Sequence, residues 1–119
     1  MDFLNPLFLL LGICGLTFLL LGLLMFKNPP KNINPMYGYR TRQSMSSQEK
    51  WDFAQVYAGK LMFRGGIFFI GFGIISALLN LSETLNIIIG LGTLLLFCAY
   101  LIYKTEKKLK QKFKDNETL

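Results

Sequence analysis

The sequence predicts an all-α membrane protein: three transmembrane helices, with a cytoplasmic loop and an interfacial helix between spans 1 and 2. Three observations predict it. All 13 Lys and Arg residues fall in two segments, Lys27–Arg64 and Lys104–Lys114. The stretches before and between them are almost purely apolar. Overall, 52% of the chain is hydrophobic against 17% charged, with a mean hydropathy of +0.40. A cation at the bilayer centre costs roughly 2.5–3.5 kcal/mol even on lenient scales, so the uncharged stretches read as spans and the charged ones as the parts that stay wet. A length of 119 residues has room for one domain. We take residues 1–119 as a single membrane domain with spans at about 6–26, 61–81 and 84–103 and a basic cytoplasmic tail at 104–119.

The first helix begins at Asn5-Pro6, a side-chain acceptor at the cap followed by a residue whose missing N–H is not needed there. Pro6 to Phe26 carries no charge. About 21 residues give roughly 31 Å of helix, enough for a hydrocarbon core of roughly 30 Å. There is no basic n-region, so the segment is expected to be a retained span, and Leu11-Gly12-Ile13-Cys14 is not expected to be a lipoprotein cleavage box. Lys27 and Asn28-Pro29-Pro30 end the helix.

Residues 27 to about 45 form a loop rich in Asn, Pro and Gly, longer than most connections in compact proteins. Ser46-Ser47-Gln48-Glu49 has capping-box spacing, with Ser46 as the expected cap and Glu49 reaching back. The helix it starts carries Trp51, Ala54, Ala58 and Leu61 on one stripe, with Gln48, Asp52 and Gln55 on or near the polar side. Trp51, Phe53 and Tyr57 suit the membrane–water boundary. This interfacial helix is expected to run through Lys60 and Arg64 into the second span. Asn80 to Thr84 form a tight external turn, with Ser82 and Glu83 placed to cap the third helix. Tyr100 and Tyr103 mark the inner end of that helix. Leu109 and Phe113, four apart among six lysines, suit a tail lying on an anionic leaflet.

Orientation follows from charge. The outside carries only Asp2 and Glu83, and every Lys and Arg lies inside. The expectation is a multi-pass cell-membrane protein with its N-terminus outside and its 27–60 loop and C-terminus in the cytoplasm. The net charge of +6 arises from cations that flank apolar runs, so anionic lipids, and not nucleic acid, are the simpler partner.

The composition disfavours several functions. His is absent, and Ser44, Ser46 and Ser47 have no imidazole to activate them. No carboxylate pair has acid/base spacing. The expectation is no enzyme, no metal and no cofactor. Cys14 and Cys98 sit inside apolar runs as small hydrophobes. At bilayer depth the spans hold no ionisable carboxylate, amine or guanidinium of the kind ion-coupled transporters use, with Lys60 and Arg64 expected to snorkel toward headgroups. Glycines at 12, 15, 22, 65, 66, 71, 73, 90 and 92 permit close helix approach, either within one bundle or across a homodimer.

The segment from Asn34 to Arg42 is the most unusual. Gly38 permits a sharp turn, Tyr37 and Tyr39 flank it, and Arg40 and Arg42 supply forked donors. Two readings stay open on residue chemistry. In one, the loop docks its tyrosines at the interface and its arginines on lipid phosphates. In the other, it forms a pocket for an anionic or peptide group, anchored by Arg40.

Asn34, Tyr37-Gly38-Tyr39-Arg40-Thr41, Ser44-Met45, Glu49, Trp51, Ala54 and Gly59-Lys60 resemble the signature of the SdpI-like membrane protein family. That signature lies in a loop leading into an interfacial helix between two spans. With the flanking spans, the resemblance covers roughly residues 5 to 103. The family's best-known member is an immunity protein against a secreted killing peptide that also holds a small transcriptional repressor at the membrane. The resemblance therefore implies immunity or resistance to a membrane-active peptide, with a peptide toxin and a cytoplasmic repressor as partners. It implies a ligand- or partner-binding site at Asn34, Tyr37, Gly38, Tyr39, Arg40, Thr41 and Trp51, with Gln55 where an Asn is common. A small oligomeric transporter or lipid-handling protein is the alternative.

Overall fold

In the computed structural model, residues 5–79 and 81–114 are described. They form three helices, α1 (Pro6–Lys27), α2 (Gln48–Leu78) and α3 (Glu83–Lys112), with no strand among the described residues. All three are long and apolar enough to cross a membrane. The long axis of the molecule is 56 Å, well beyond a hydrocarbon core of roughly 30 Å. The excess is concentrated at the end where the 28–47 loop, the start of α2 and the last turns of α3 meet, called here the basic end.

The caps follow local chemistry. The Asn5 side chain accepts from Leu7 N–H at 2.8 Å and donates to the Ser76 carbonyl at 3.1 Å, so the start of α1 is tied to the end of α2. Ser82 caps α3 by accepting from Leu85 N–H at 3.2 Å. At α2 the cap is Ser47, which accepts from Lys50 N–H, and not the expected Ser46. The Ser46 hydroxyl instead donates to the Gln43 carbonyl at 2.6 Å, closing a turn one residue earlier. Two adjacent serines give the same spacing signal one residue apart, and the turn selects between them.

α2 is continuous from the basic end through Lys60 and Arg64 to Leu78, as the patterning predicts. α3 does not stop at the boundary tyrosines but continues to Lys112. Leu109 and Phe113 turn inward, into a cluster with Met25, Tyr39, Ala54, Ala58 and Leu101. The expected tail on a lipid leaflet is thereby corrected: the apolar stripe finds a protein surface to cover, and the lysines take the outer face. Asp2, Asn80 and residues 115–119 of the expected tail lie outside the described residues.

Glycine sets the packing of the antiparallel α1–α2 pair. Gly15 and Gly22 on α1 meet Gly59 and Gly66 on α2, in a stripe that recurs every seventh residue. A Cβ at Gly22 would lie 2.5 Å from Phe63 N and 2.6 Å from Gly59 O; one at Gly66 would lie 2.5 Å from Leu19 N. Backbone touches backbone along this seam. These glycines serve packing within the chain. α3 joins the pair through side chains: the Phe97 ring fills the space over Gly65, and Leu10 and Leu7 pack on Gly90. Phe18, Phe69 and Phe97, one from each helix, form edge-to-face pairs with centroids 5.1–5.7 Å apart. The outward faces are also apolar, from Ile13 and Leu20 on α1 to Leu95 and Leu96 on α3, as a lipid environment requires.

Candidate functional site

The loop between α1 and α2 is anchored at points spread along its length. After the Leu24 carbonyl accepts from Asn28 N–H, the chain passes Pro30, whose carbonyl accepts from Trp51 Nε1 at 2.8 Å. The Lys31 carbonyl accepts from Gln48 Nε2 at 2.6 Å. Asn34 then organises a turn of its own: its side-chain oxygen accepts from Met36 N–H at 2.9 Å and Tyr37 N–H at 2.6 Å. Gly38 has φ of 108°, a left-handed conformation that a side chain would strain. A Cβ there would also lie 2.5 Å from Gln55 Oε1.

That proximity explains Gln55. Its Oε1 accepts from Tyr39 N–H at 2.6 Å, and its Nε2 donates to the Tyr39 carbonyl at 2.8 Å. One amide side chain thus satisfies both backbone groups of one residue, as a neighbouring strand would. Gln55 is fully buried, contrary to its expected place on or near the polar side. Trp51 is equally buried, so it is no boundary anchor; burial of its ring and the bond to Pro30 hold the loop down. Phe53 likewise faces protein, under Lys112 Nζ at 4.7 Å and edge-on to Phe113. The Ser44 hydroxyl accepts from Thr41 N–H at 2.8 Å and is within 3.1 Å of the Tyr39 carbonyl, while Thr41 Oγ1 accepts from Ser44 N–H at 3.1 Å.

The Tyr39 side chain crosses to α3. Its hydroxyl donates to Glu106 Oε1 at 2.8 Å. Burial, and then the hydrogen bond to the Glu106 carboxylate, push the phenol well above its ordinary range, so it remains a donor. The Gln43 amide, oriented to satisfy both groups, donates to the other Glu106 oxygen. Glu106 is the one carboxylate of the lysine-rich end of α3; its isolation among cations was the signal that could have marked it, and the sequence reading passed over it.

Of the eight expected site residues, Gly38, Tyr39, Trp51 and Gln55 build the frame, and Asn34 shapes the turn. Tyr37, Arg40 and Thr41 remain reachable. The Arg40 guanidinium donates through one nitrogen to the Pro35 carbonyl, closing the 35–40 turn, while its side chain stays exposed. All three reachable residues border a groove of about 460 Å³ between α1 and α3. Among the described residues no group of His, Cys, Asp or Glu is arranged to hold a metal ion, and both cysteines are free.

The model of the SdpI/YfhL protein family matches residues 31–104. A Bacillus subtilis (strain 168) protein named "Uncharacterized protein YfhL" is 38% identical over 96 residues, covering 81% of this chain and 82% of the relative. The chain belongs to the SdpI/YfhL family. The family match begins within the loop, at Lys31, and takes in the bonds from Gln48 and Gln55 of α2 that anchor it, while the Pro30 carbonyl that accepts from Trp51 lies one residue before it. Coverage of the YfhL protein is nearly the same from both sides, so the two chains are of similar length. No solved structure matches.

Proposed function

We propose that this SdpI/YfhL-family membrane protein confers immunity or resistance to a membrane-active peptide. Its basic end would lie in the cytoplasm, and Tyr37, Arg40 and Thr41 would be the residues that meet the ligand. The observation that carries this reading is the division of labour in the loop. The buried signature residues are consumed in holding it, while Tyr37, Arg40 and Thr41, the last two with one side-chain bond each inside the loop, stay reachable at the mouth of a groove. A loop held this firmly presents its reachable side chains at little ordering cost on binding. The family's best-known member being an immunity protein supplies the activity. The orientation rests on the positive-inside rule, since the structure brings Lys31 and Lys110 to one end of the bundle. Holding a cytoplasmic repressor would be a second role, for which the outer lysine face of α3 supplies charge but no built site.

The test is survival of a toxin-sensitive strain that expresses the chain or Arg40→Ala at equal membrane abundance. Protection by the native chain that falls about tenfold in the variant is expected, the size of one charge-assisted hydrogen bond. Equal survival with and without the protein would remove the immunity reading; equal protection by the variant would remove Arg40.

A further inference from the structure

The groove between α1 and α3 is apolar along most of its length and charged at one end. Leu21 and Met25 of α1 line one side, Cys98, Leu101 and Ile102 of α3 line the other, and Met62 of α2 completes the apolar surface. Leu21 and Ile102 are 39% and 49% exposed and carry the walls onto the lipid-facing surface of the bundle. The loop segment 36–41 closes the end, where Arg40 is the only charged residue among those lining the groove. Tyr103 and Lys104 follow Ile102 directly on α3. Aromatic and cationic residues of this kind sit at headgroup depth, which places the Arg40 end at the level of lipid phosphates.

We propose that this groove is a binding site for an anionic glycerophospholipid, with one acyl chain between α1 and α3 and the headgroup phosphate on Arg40. An apolar cleft that opens on hydrocarbon loses dispersion contacts if left empty, and the surrounding acyl chains are the material at hand to fill it. The volume falls within the roughly 300–1,000 Å³ usual for small-molecule sites. A guanidinium with one nitrogen on the Pro35 carbonyl keeps other N–H donors for a phosphate, whose geometry it matches. In the interior of the groove, behind the mouth formed by Tyr37, Arg40 and Thr41, an extended peptide fits less well. It would bring backbone N–H and C=O groups against walls of hydrocarbon, two thioethers and one thiol, where nothing satisfies them; an acyl chain brings none. The inference goes beyond the immunity reading and does not need it, because it is tested on lipid alone.

The full-length protein, delipidated in detergent, is loaded with dioleoyl phosphatidylglycerol or dioleoyl phosphatidylcholine, and retained lipid is counted by native mass spectrometry. Retention of phosphatidylglycerol about fivefold above phosphatidylcholine is expected, the contribution of one cation near an anionic surface. Arg40→Ala abolishes that preference and leaves chain retention. Cys98→Trp and Leu21→Trp, one on each wall and each checked for unchanged helical content, lower retention of both lipids. Equal retention of the two lipids by the native chain overturns the proposal, as does an intact preference in Arg40→Ala or retention unchanged in the filled variants. Displacement of phosphatidylglycerol by glycerol 3-phosphate overturns it in favour of a site for free phosphate. A co-purifying peptide in place of lipid overturns it in favour of a peptide groove.

Discussion

The seam between α1 and α2 and the seam between α1 and α3 use similar apolar residues to opposite ends. Along the first, glycine on both helices brings backbone against backbone, so no space is left for a side chain or a ligand. Along the second, Leu, Met and Phe side chains act as spacers; they fill the middle of the bundle and leave a groove toward the basic end. There, α3 is held by the loop as well as by helix packing: Tyr39 and Gln43 reach Glu106, and Leu109 and Phe113 pack into the cluster around Ala54 and Ala58. One pair of helices packs backbone to backbone, and the third is docked on it through side chains and a loop that α2 itself holds. The difference teaches that in a bundle of apolar helices, the smallest side chains make the scaffold and the larger ones make the site.

Three substitutions, and one control, break or sharpen that contrast. Gly22→Leu attacks the backbone seam, where neither Phe63 N nor Gly59 O can step aside. A loss of about 3 kcal/mol is expected, the upper range for overpacking, read as the thermal midpoint in detergent. Gly12→Leu is the control, because an added Cβ there meets nothing within 4 Å; equal shifts for the two would end the distinction between the seams.

Gln55→Leu keeps the volume of the frame but removes the partner of the Tyr39 N–H, leaving the Tyr39 carbonyl to Ser44 alone. A buried backbone N–H left unpaired costs about 1–3 kcal/mol, so a loss of about 2 kcal/mol is expected, with faster tryptic cleavage at Arg40 and Arg42. Unchanged cleavage would show that the Gln55 amide does not hold the loop.

Tyr39→Phe tests the weaker tie to α3, with an expected cost of about 1.5 kcal/mol for a hydrogen bond to a charged acceptor. Its signature is in pH. The folded state retains a proton that the unfolded tyrosine gives up near its ordinary pKa of 10.0. The contribution is therefore complete below pH 10 and is lost as pH rises further. Above pH 10 the native chain should lose stability faster than Tyr39→Phe; parallel decline would remove the buried-donor role.

Much of the architecture was legible because its causes are local. Asn5-Pro6 and Ser82 cap the helices they were expected to cap, and α2 runs from the loop into the membrane without a break. The candidate site was legible only as a set of residues. Tyr37, Arg40 and Thr41 do border one groove, but Trp51 and Gln55 looked like a boundary anchor and a polar-side residue, and are instead buried supports of the loop. Glu106 went unnoticed because its partner is 67 positions away.

The sequence by itself determined which three stretches are apolar enough to cross a bilayer, since excluding a cation from hydrocarbon depends on that residue and its immediate neighbours. Tertiary structure alone decided which signature residues are frame and which are reachable. It also turned Leu109 and Phe113 inward and opened a groove beside Arg40. The physical reason is distance: a buried amide or hydroxyl takes its role from the partner it meets. For Gln55 that partner is 16 residues off, beyond the reach of any local pattern.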